Sequence, residues 1–430
     1  MQENGLLRKP KKALFIIIFV AAHILILRNV FLLSKDMLYG DFSAGKLLPS
    51  TRYGFERIPD DPSTQQYHAQ NRLAVDFAQI YFPSQQIAAL SENYQTGVLD
   101  PMQRPSRYAP MLHFLCSITI CKLDYGVASL LHMTIQTLLF YMVIIYSFKA
   151  LKIEIDLLSG LLLLNCYLFL SPAGLSWFER GQFSLYVSIG YLLMIIGFIK
   201  KNDLLVLYSA LFAFVKWTSF PAISVIFSVY ILNSKSLAEG KRNLLLAAAF
   251  LLIIISLSLP FPDQSLYFLK GLYDQERFAV PGGISLAKIL PVTIAKTLPV
   301  LLIVLGFLHV KINQNAFERI IPFLAGSAIL MLTFPTLAYE YNLPSLLCFI
   351  PLVFYWTKLS NDTIKVRVRK VMKYSFFAFV LFASFSNYIN QKVIVMSEYC
   401  LISLILLLVP LFYYWKSTRD PNRSKKINIQ

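Results

Sequence analysis

Apolar residues are gathered along the chain into long continuous runs, and the lengths of those runs predict membrane spans. A helix that crosses a bilayer needs about 20 mostly apolar residues. The first such run is Ala13–Leu33, directly behind Arg8, Lys9, Lys11 and Lys12. No small-residue cleavage site follows it, so it reads as an uncleaved anchor with a cytoplasmic N-terminus. Further spans are predicted near 125–148, 156–171, 183–199, 203–217, 221–233, 244–261, 287–308, 318–337, 342–358, 374–391 and 398–415. Pro172, Pro221 and Pro260 lie at the ends of several of them. Short or broken spans are tolerated where they line a cavity inside the protein.

Residues 34–124 form a long first loop, polar from Ser34 to about Tyr108. Loops of that length are usually functional or disordered. Its interleaved aromatics, Tyr53, Phe55, Phe77, Tyr81 and Phe82, favour an ordered loop lying near the membrane surface. Within it Leu73–Tyr81 has helical amphipathicity, with Phe77, Ile80 and Tyr81 placed around Asp76. The segment Ala109–Cys121 is apolar but only 13 residues long, which suits a re-entrant or interfacial helix better than a span. If it does not cross, the chain has twelve spans and both termini are cytoplasmic. The expected fold is thus an all-α polytopic bundle, one membrane domain over 1–430 with juxtamembrane helices in the first loop and a basic tail at 416–430.

Composition sharpens this picture. The 430 residues are 57% hydrophobic and 15% charged, against about 25% charged in soluble proteins. The net charge is +17. Under the twelve-span topology 24 of the 40 Lys and Arg fall in cytoplasmic segments, whereas a crossing Ala109–Cys121 would leave only 12 there. The positive-inside bias therefore favours twelve spans. It also accounts for the basic excess, so no nucleic-acid partner is implied; the surrounding partners are membrane lipids. The expected location is the plasma (inner) membrane.

Cys116, Cys121, Cys166, Cys348 and Cys400 are an odd set without CxxC spacing, which argues against a disulfide framework or a zinc site. The five histidines are scattered, and no structural metal or cofactor is expected. No phosphate-binding glycine loop, dinucleotide fingerprint or nucleophile elbow occurs.

Polar residues gather instead at the outer ends of the spans, in Arg107–Pro110, Ser176–Gln182, Lys216–Thr218 and Tyr339–Asn342, with a further charged loop at Pro262–Ser285. Singly, each has a plain reading. Asp76 could be a solvated carboxylate, Glu179 and Arg180 an interfacial ion pair, Gln182 a helix entry, and Lys216 a snorkelling end. Their shared side is what makes a membrane-level site worth considering.

The order of the motifs resembles a known family. Asp-Phe-x-x-x-Tyr (Asp76-Phe77 to Tyr81) follows the first span. After it come Gly-x-Leu-Asp-Pro (Gly97 to Pro101), Arg-Tyr-x-Pro (Arg107, Tyr108, Pro110), Gly-Gln (Gly181-Gln182) and Lys216. Over roughly residues 13–345 this is similar to glycosyltransferase family 87, polyprenol-phosphate-mannose-dependent mannosyltransferases of the GT-C fold. Three motifs depart: Tyr108-Ala109-Pro110 replaces Tyr-Pro-Pro, Gly181-Gln182-Phe183-Ser184 lacks an Asn, and Tyr339-Glu340-Tyr341 replaces Trp-x-His.

The resemblance implies transfer of a mannose-like hexose from a polyprenyl-phosphate donor to a glycan or glycolipid acceptor outside the membrane. It implies Asp76 as general base; Glu179, expected on the same outer side and adjacent to Arg180 in sequence, is the second choice. Arg107, Arg180 and Lys216 would hold the donor phosphate, and Tyr108, Glu179, Gln182, Glu340 and Tyr341 would line the sugar or acceptor site. Such a reaction inverts the anomeric carbon. Two other readings remain: a polysaccharide polymerase or ligase, and a transporter of lipid-linked sugar.

Overall fold

The computed structural model describes residues 8–39, 74–88, 106–153, 157–232 and 234–278, with short stretches beyond, chiefly 282–283, 291–294, 337–338, 340–348 and 350–352. The spans expected at 374–391 and 398–415, nearly all of 318–337, most of 287–308, part of 342–358 and the basic tail lie outside the described residues.

The described chain is helical. In order it runs α1 (Arg8–Tyr39), α2 (Val75–Ala88), α3 (Pro110–Ile118), α4 (Tyr125–Ala150), α5 (Leu157–Leu170), α6 (Pro172–Glu179), α7 (Ser184–Lys200), α8 (Asp203–Val215), α9 (Phe220–Leu232), α10 (Leu237–Ser258) and α11 (Pro262–Phe278). Single 3-10 turns occupy Ile120–Lys122 and Trp217–Ser219, and a longer 3-10 segment covers Glu340–Cys348. The only extended pairing among the described residues joins Gly282–Gly283 to Leu337–Ala338 in parallel.

Two of these helices, α4 and α10, are long and apolar enough to cross a membrane. A third candidate is the pair α5 and α6, bent by 67° at Ser171–Pro172. That bend is written locally. Ser171 accepts from the Gly174 amide at 3.0 Å and Pro172 occupies the first helical position, a start signal placed directly behind another helix. The helix α3 has nine residues. At 1.5 Å per residue it is far too short for a hydrocarbon core of about 30 Å.

The core is built around α7. Its residues from Ser184 to Phe198 are buried on every side apart from half-buried Tyr186, as expected of an apolar helix enclosed by others. It packs on α4, α8 and the Glu340–Cys348 segment. Close approach to α8 is set by Gly190 and Gly197, where an added Cβ would lie 2.9 Å from Phe212 and 2.7 Å from Val206. Ser184 and Ser188 hydroxyls donate to the carbonyls of Tyr341 (2.8 Å) and Ser345 (3.0 Å). These bonds fix the Glu340–Cys348 segment against the N-terminal end of α7.

The cysteine expectation needs correcting. Cys116 and Cys121 are joined in a disulfide that closes the end of α3 onto the following turn. An odd count says nothing about a single pair, and a helix that stops two residues after Cys116 can fold Cys121 back onto it. The bridge supports α2, because Gln85 donates to the Cys121 carbonyl at 2.5 Å and Tyr81 to the Leu123 carbonyl at 2.9 Å. On denatured protein, reduction should expose two thiols that a maleimide-polyethylene glycol reagent cannot reach before it. Identical mass shifts with and without reductant would refute the bridge.

Candidate active site

The site begins where two helix ends meet. The first amides of a helix have no partner within it. Here the amides of Ala74 and Asp76 donate to the carbonyls of Glu179 (2.6 Å) and Arg180 (2.9 Å) at the end of α6. The N-terminus of α2 thus sits directly on the C-terminus of α6, although the two are a hundred residues apart in sequence. Tyr125 adds a third tie, donating to the Ala74 carbonyl at 2.8 Å.

Gly181 makes this contact possible. It has φ +63°, and a Cβ there would lie 2.9–3.0 Å from Ala74 and Phe77. Both the left-handed backbone and the approach of α2 require glycine. Gly181→Ala should destabilise the protein by about 1–3 kcal/mol, read as a lower melting temperature. It should also loosen α2, read as faster amide exchange over residues 75–80 than elsewhere. An unchanged melting temperature and exchange pattern would show that the two helix ends do not depend on this contact.

Docked in this way, Asp76 lies in the first turn of α2, where the helix dipole favours a carboxylate. It is buried, with 5% of its surface exposed. Its Oδ2 accepts from Arg180 Nε at 2.9 Å and from Gln182 Nε2 at 2.5 Å, while Oδ1 receives Arg180 Nη2 at 3.4 Å. Gln182 carries the network onward. Its Oε1 accepts from Lys216 Nζ at 2.9 Å, and Lys216 also donates to Asn342 Oδ1 at 2.6 Å and, more weakly, to Ser184 Oγ at 3.5 Å.

Tyr341 forms the floor under both cations. Its ring centroid is 4.7 Å from the Arg180 guanidinium and 6.0 Å from the Lys216 ammonium, within cation–π range. Gln136 on α4 holds the Gln182 backbone, donating to its carbonyl at 2.8 Å and accepting the Leu185 amide at 2.9 Å. Behind Asp76, Phe77 stacks on His132 at 4.9 Å, and His132 meets Phe183 at 4.3 Å.

Of the residues expected from sequence, Asp76, Arg180, Gln182, Lys216 and Tyr341 therefore form one connected cluster. Tyr108 is buried beside it, its ring 4.7 Å from that of Phe183. Glu179 is buried and contributes its carbonyl to the α2 junction. Glu340 begins the 3-10 segment, and its side chain lies outside the described residues. Arg107 stands apart: it is exposed and lines a different cavity, between α3 and α11.

No family model matches the chain, and neither does any curated protein or solved structure. Among the described residues, no group of three His, Cys, Asp or Glu side chains could hold a metal ion.

Asn342, Ser184 and Gln136 were not singled out in the sequence. Asn342 had a weak signal, since it ends the polar Tyr339–Asn342 patch. Gln136 had a better one, as an amide in the middle of the apolar stretch 125–148. A polar group there needs partners inside the protein.

Chemically, the cluster is one carboxylate and two cations joined by an amide and backed by an aromatic face. It can bind a dianion through Arg180 and Lys216, and it can accept a proton at Asp76. The two acts compete for Arg180, which in this state is committed to the carboxylate.

Proposed function

We propose that this chain is a membrane glycosyltransferase that moves a mannose-like hexose from a polyprenyl-phosphate donor to a glycan or glycolipid. The observation that supports it is the Asp76–Arg180–Gln182–Lys216 cluster, assembled from three separate parts of the chain. The family resemblance points the same way, and the twelve spans with both termini cytoplasmic that the sequence leads one to expect would suit such an enzyme.

The proposed step needs three groups. The acceptor hydroxyl attacks the anomeric carbon, and its proton passes to Asp76. The bond from that carbon to the phosphate oxygen breaks, and the polyprenyl phosphate leaves with inversion. Its developing charge is met by Arg180 and Lys216. The leaving group is already ionised, so no general acid is required. Arrival of the donor phosphate draws Arg180 away from Asp76 and frees the carboxylate to act as a base. Gln182, bonded to both Asp76 and Lys216, holds base and cation at a fixed spacing.

The reaction belongs on the extracytoplasmic face of the plasma membrane. The Cys116–Cys121 disulfide, which braces α2, agrees with that side, because disulfides persist in oxidising compartments.

The test is a purified, liposome-reconstituted chain given radiolabelled polyprenyl-phosphate mannose and an extract of envelope glycolipids. Release of polyprenyl phosphate matched by label in a glycolipid is the expected result. Extended polymer would favour a polymerase. Label crossing the bilayer without bond cleavage would favour a transporter.

A further inference from the structure

A cavity of about 410 Å³ lies apart from the Asp76 cluster, between the segment that begins α3 and the surface helix α11. It is lined by Arg107 from one side and by Tyr267, Lys270, Gly271 and Asp274 from the other. Among the described residues neither Arg107 nor Lys270 forms an ion pair. Among the described residues, the two cations and one carboxylate of the lining sum to a charge of +1.

The cavity is tied to the helix that carries Asp76. Gln79, one turn beyond Asp76 on α2, accepts the Arg107 amide at 3.3 Å through Oε1 and the Ser106 hydroxyl at 2.6 Å through its carbonyl. His113 braces the same point, 2.8 Å from the Ser106 hydroxyl. Burial pushes His113 down to about 3, so it is a neutral ring there and adds no charge.

The other face of α11 is apolar and uncovered. Leu266, Leu269 and Tyr273, spaced i, i+3, i+7, are 66%, 58% and 65% exposed. This helix directly follows α10, a candidate span, and its base is held against α3 by the contact of Phe261 with Phe114 at 5.9 Å. A helix at the end of a span with such a stripe lies along the membrane interface, its apolar face among the acyl chains. Lys270 borders that stripe, so the cavity opens at headgroup level.

We propose that this cavity binds the headgroup of an anionic phosphodiester lipid such as phosphatidylglycerol. One negative charge on the phosphate balances the cavity's +1. Arg107 and Lys270 bond the phosphate oxygens, and Asp274 accepts from a headgroup hydroxyl. The acyl chains follow the α11 stripe into the bilayer. Since the proposal concerns lipid binding alone, it stands or falls independently of glycosyl transfer.

The experiment measures binding of fluorescent phosphatidylglycerol to the full-length chain in phosphatidylcholine nanodiscs. Arg107→Gln and Lys270→Gln should each weaken binding about tenfold, the loss expected for one charge-assisted hydrogen bond. Lys122→Gln, on the 3-10 turn that follows α3 and outside the cavity lining, should change nothing; an equal loss there would reduce the effect to general surface charge and overturn the site. A Cβ at Gly271 meets nothing within 4 Å, so Gly271→Leu should fill the cavity and abolish binding without lowering the melting temperature. Intact binding in Gly271→Leu would overturn the proposal. Asp274→Asn should shift preference toward the more highly charged phosphatidic acid, and an unchanged preference would refute the charge match. Displacement of the lipid by 10 mM inorganic phosphate would show a site for free phosphate instead.

Discussion

Asp76→Asn should lower the turnover of hexose transfer by about 10²–10⁴-fold, the range for loss of a general base. The substitution keeps the shape of the side chain and its acceptor oxygen, so Gln182 retains a partner. What it removes is the proton acceptor and the charge that holds Arg180. Arg180 keeps its stacking on Tyr341 and is freed to meet the donor phosphate. Donor binding should therefore be unchanged or tighter, while turnover collapses. A purely structural role for Asp76 predicts a different result, with donor affinity and melting temperature falling together. Turnover at the wild-type rate would remove Asp76 from the mechanism. In that case Glu179, buried at the same junction, becomes the carboxylate to test by Glu179→Gln.

Much of the local structure was legible in the sequence because local rules govern it. The run at 125–148 predicts α4, and α10 extends the run at 244–261 toward its N-terminus through the Ser236 cap, whose hydroxyl accepts the Glu239 amide at 3.2 Å. The amphipathic turn around Asp76 predicts α2, and the short apolar segment after Tyr108 predicts α3. The residues Asp76, Arg180, Gln182 and Lys216 each had a plain reading taken singly, and it was their expected shared side and the family resemblance that grouped them.

What the sequence did not disclose is how they pair. Asp76 and Arg180 meet across 104 residues through backbone bonds between two helix ends, and such bonds carry no side-chain signature. The expected grouping of Arg107 with Arg180 and Lys216 rested on a shared membrane side. A side is a whole surface, and a shared side does not bring residues together: Arg107 lines a separate cavity with α11. The Cys116–Cys121 bridge was missed for a related reason: spacing alone does not reveal that α3 ends between the two cysteines.

Arg180→Gln tests whether the ion pair is structural, catalytic, or both. Removing one partner of a buried pair costs about 3–5 kcal/mol, because the remaining charge keeps its desolvation penalty. Asp76 is the buried partner here, with 7% of its side chain exposed, against 21% for Arg180. The cost should therefore fall near the lower end, about 3 kcal/mol, seen as a clear loss of melting temperature. Asp76→Asn should cost less, since the cation left behind has solvent and the Tyr341 face. In the double variant no buried charge is stranded, so most of the stability lost in Arg180→Gln should return. Transfer should not return with it, because the double variant lacks both the base and one of the two phosphate-binding cations. Stability recovered without activity would separate the two roles of Arg180, which pairs with Asp76 in the resting state and serves the donor phosphate during transfer. If the two single losses of stability simply added in the double variant, Arg180 and Asp76 would be uncoupled, and the proposed release of Asp76 by the donor would fail.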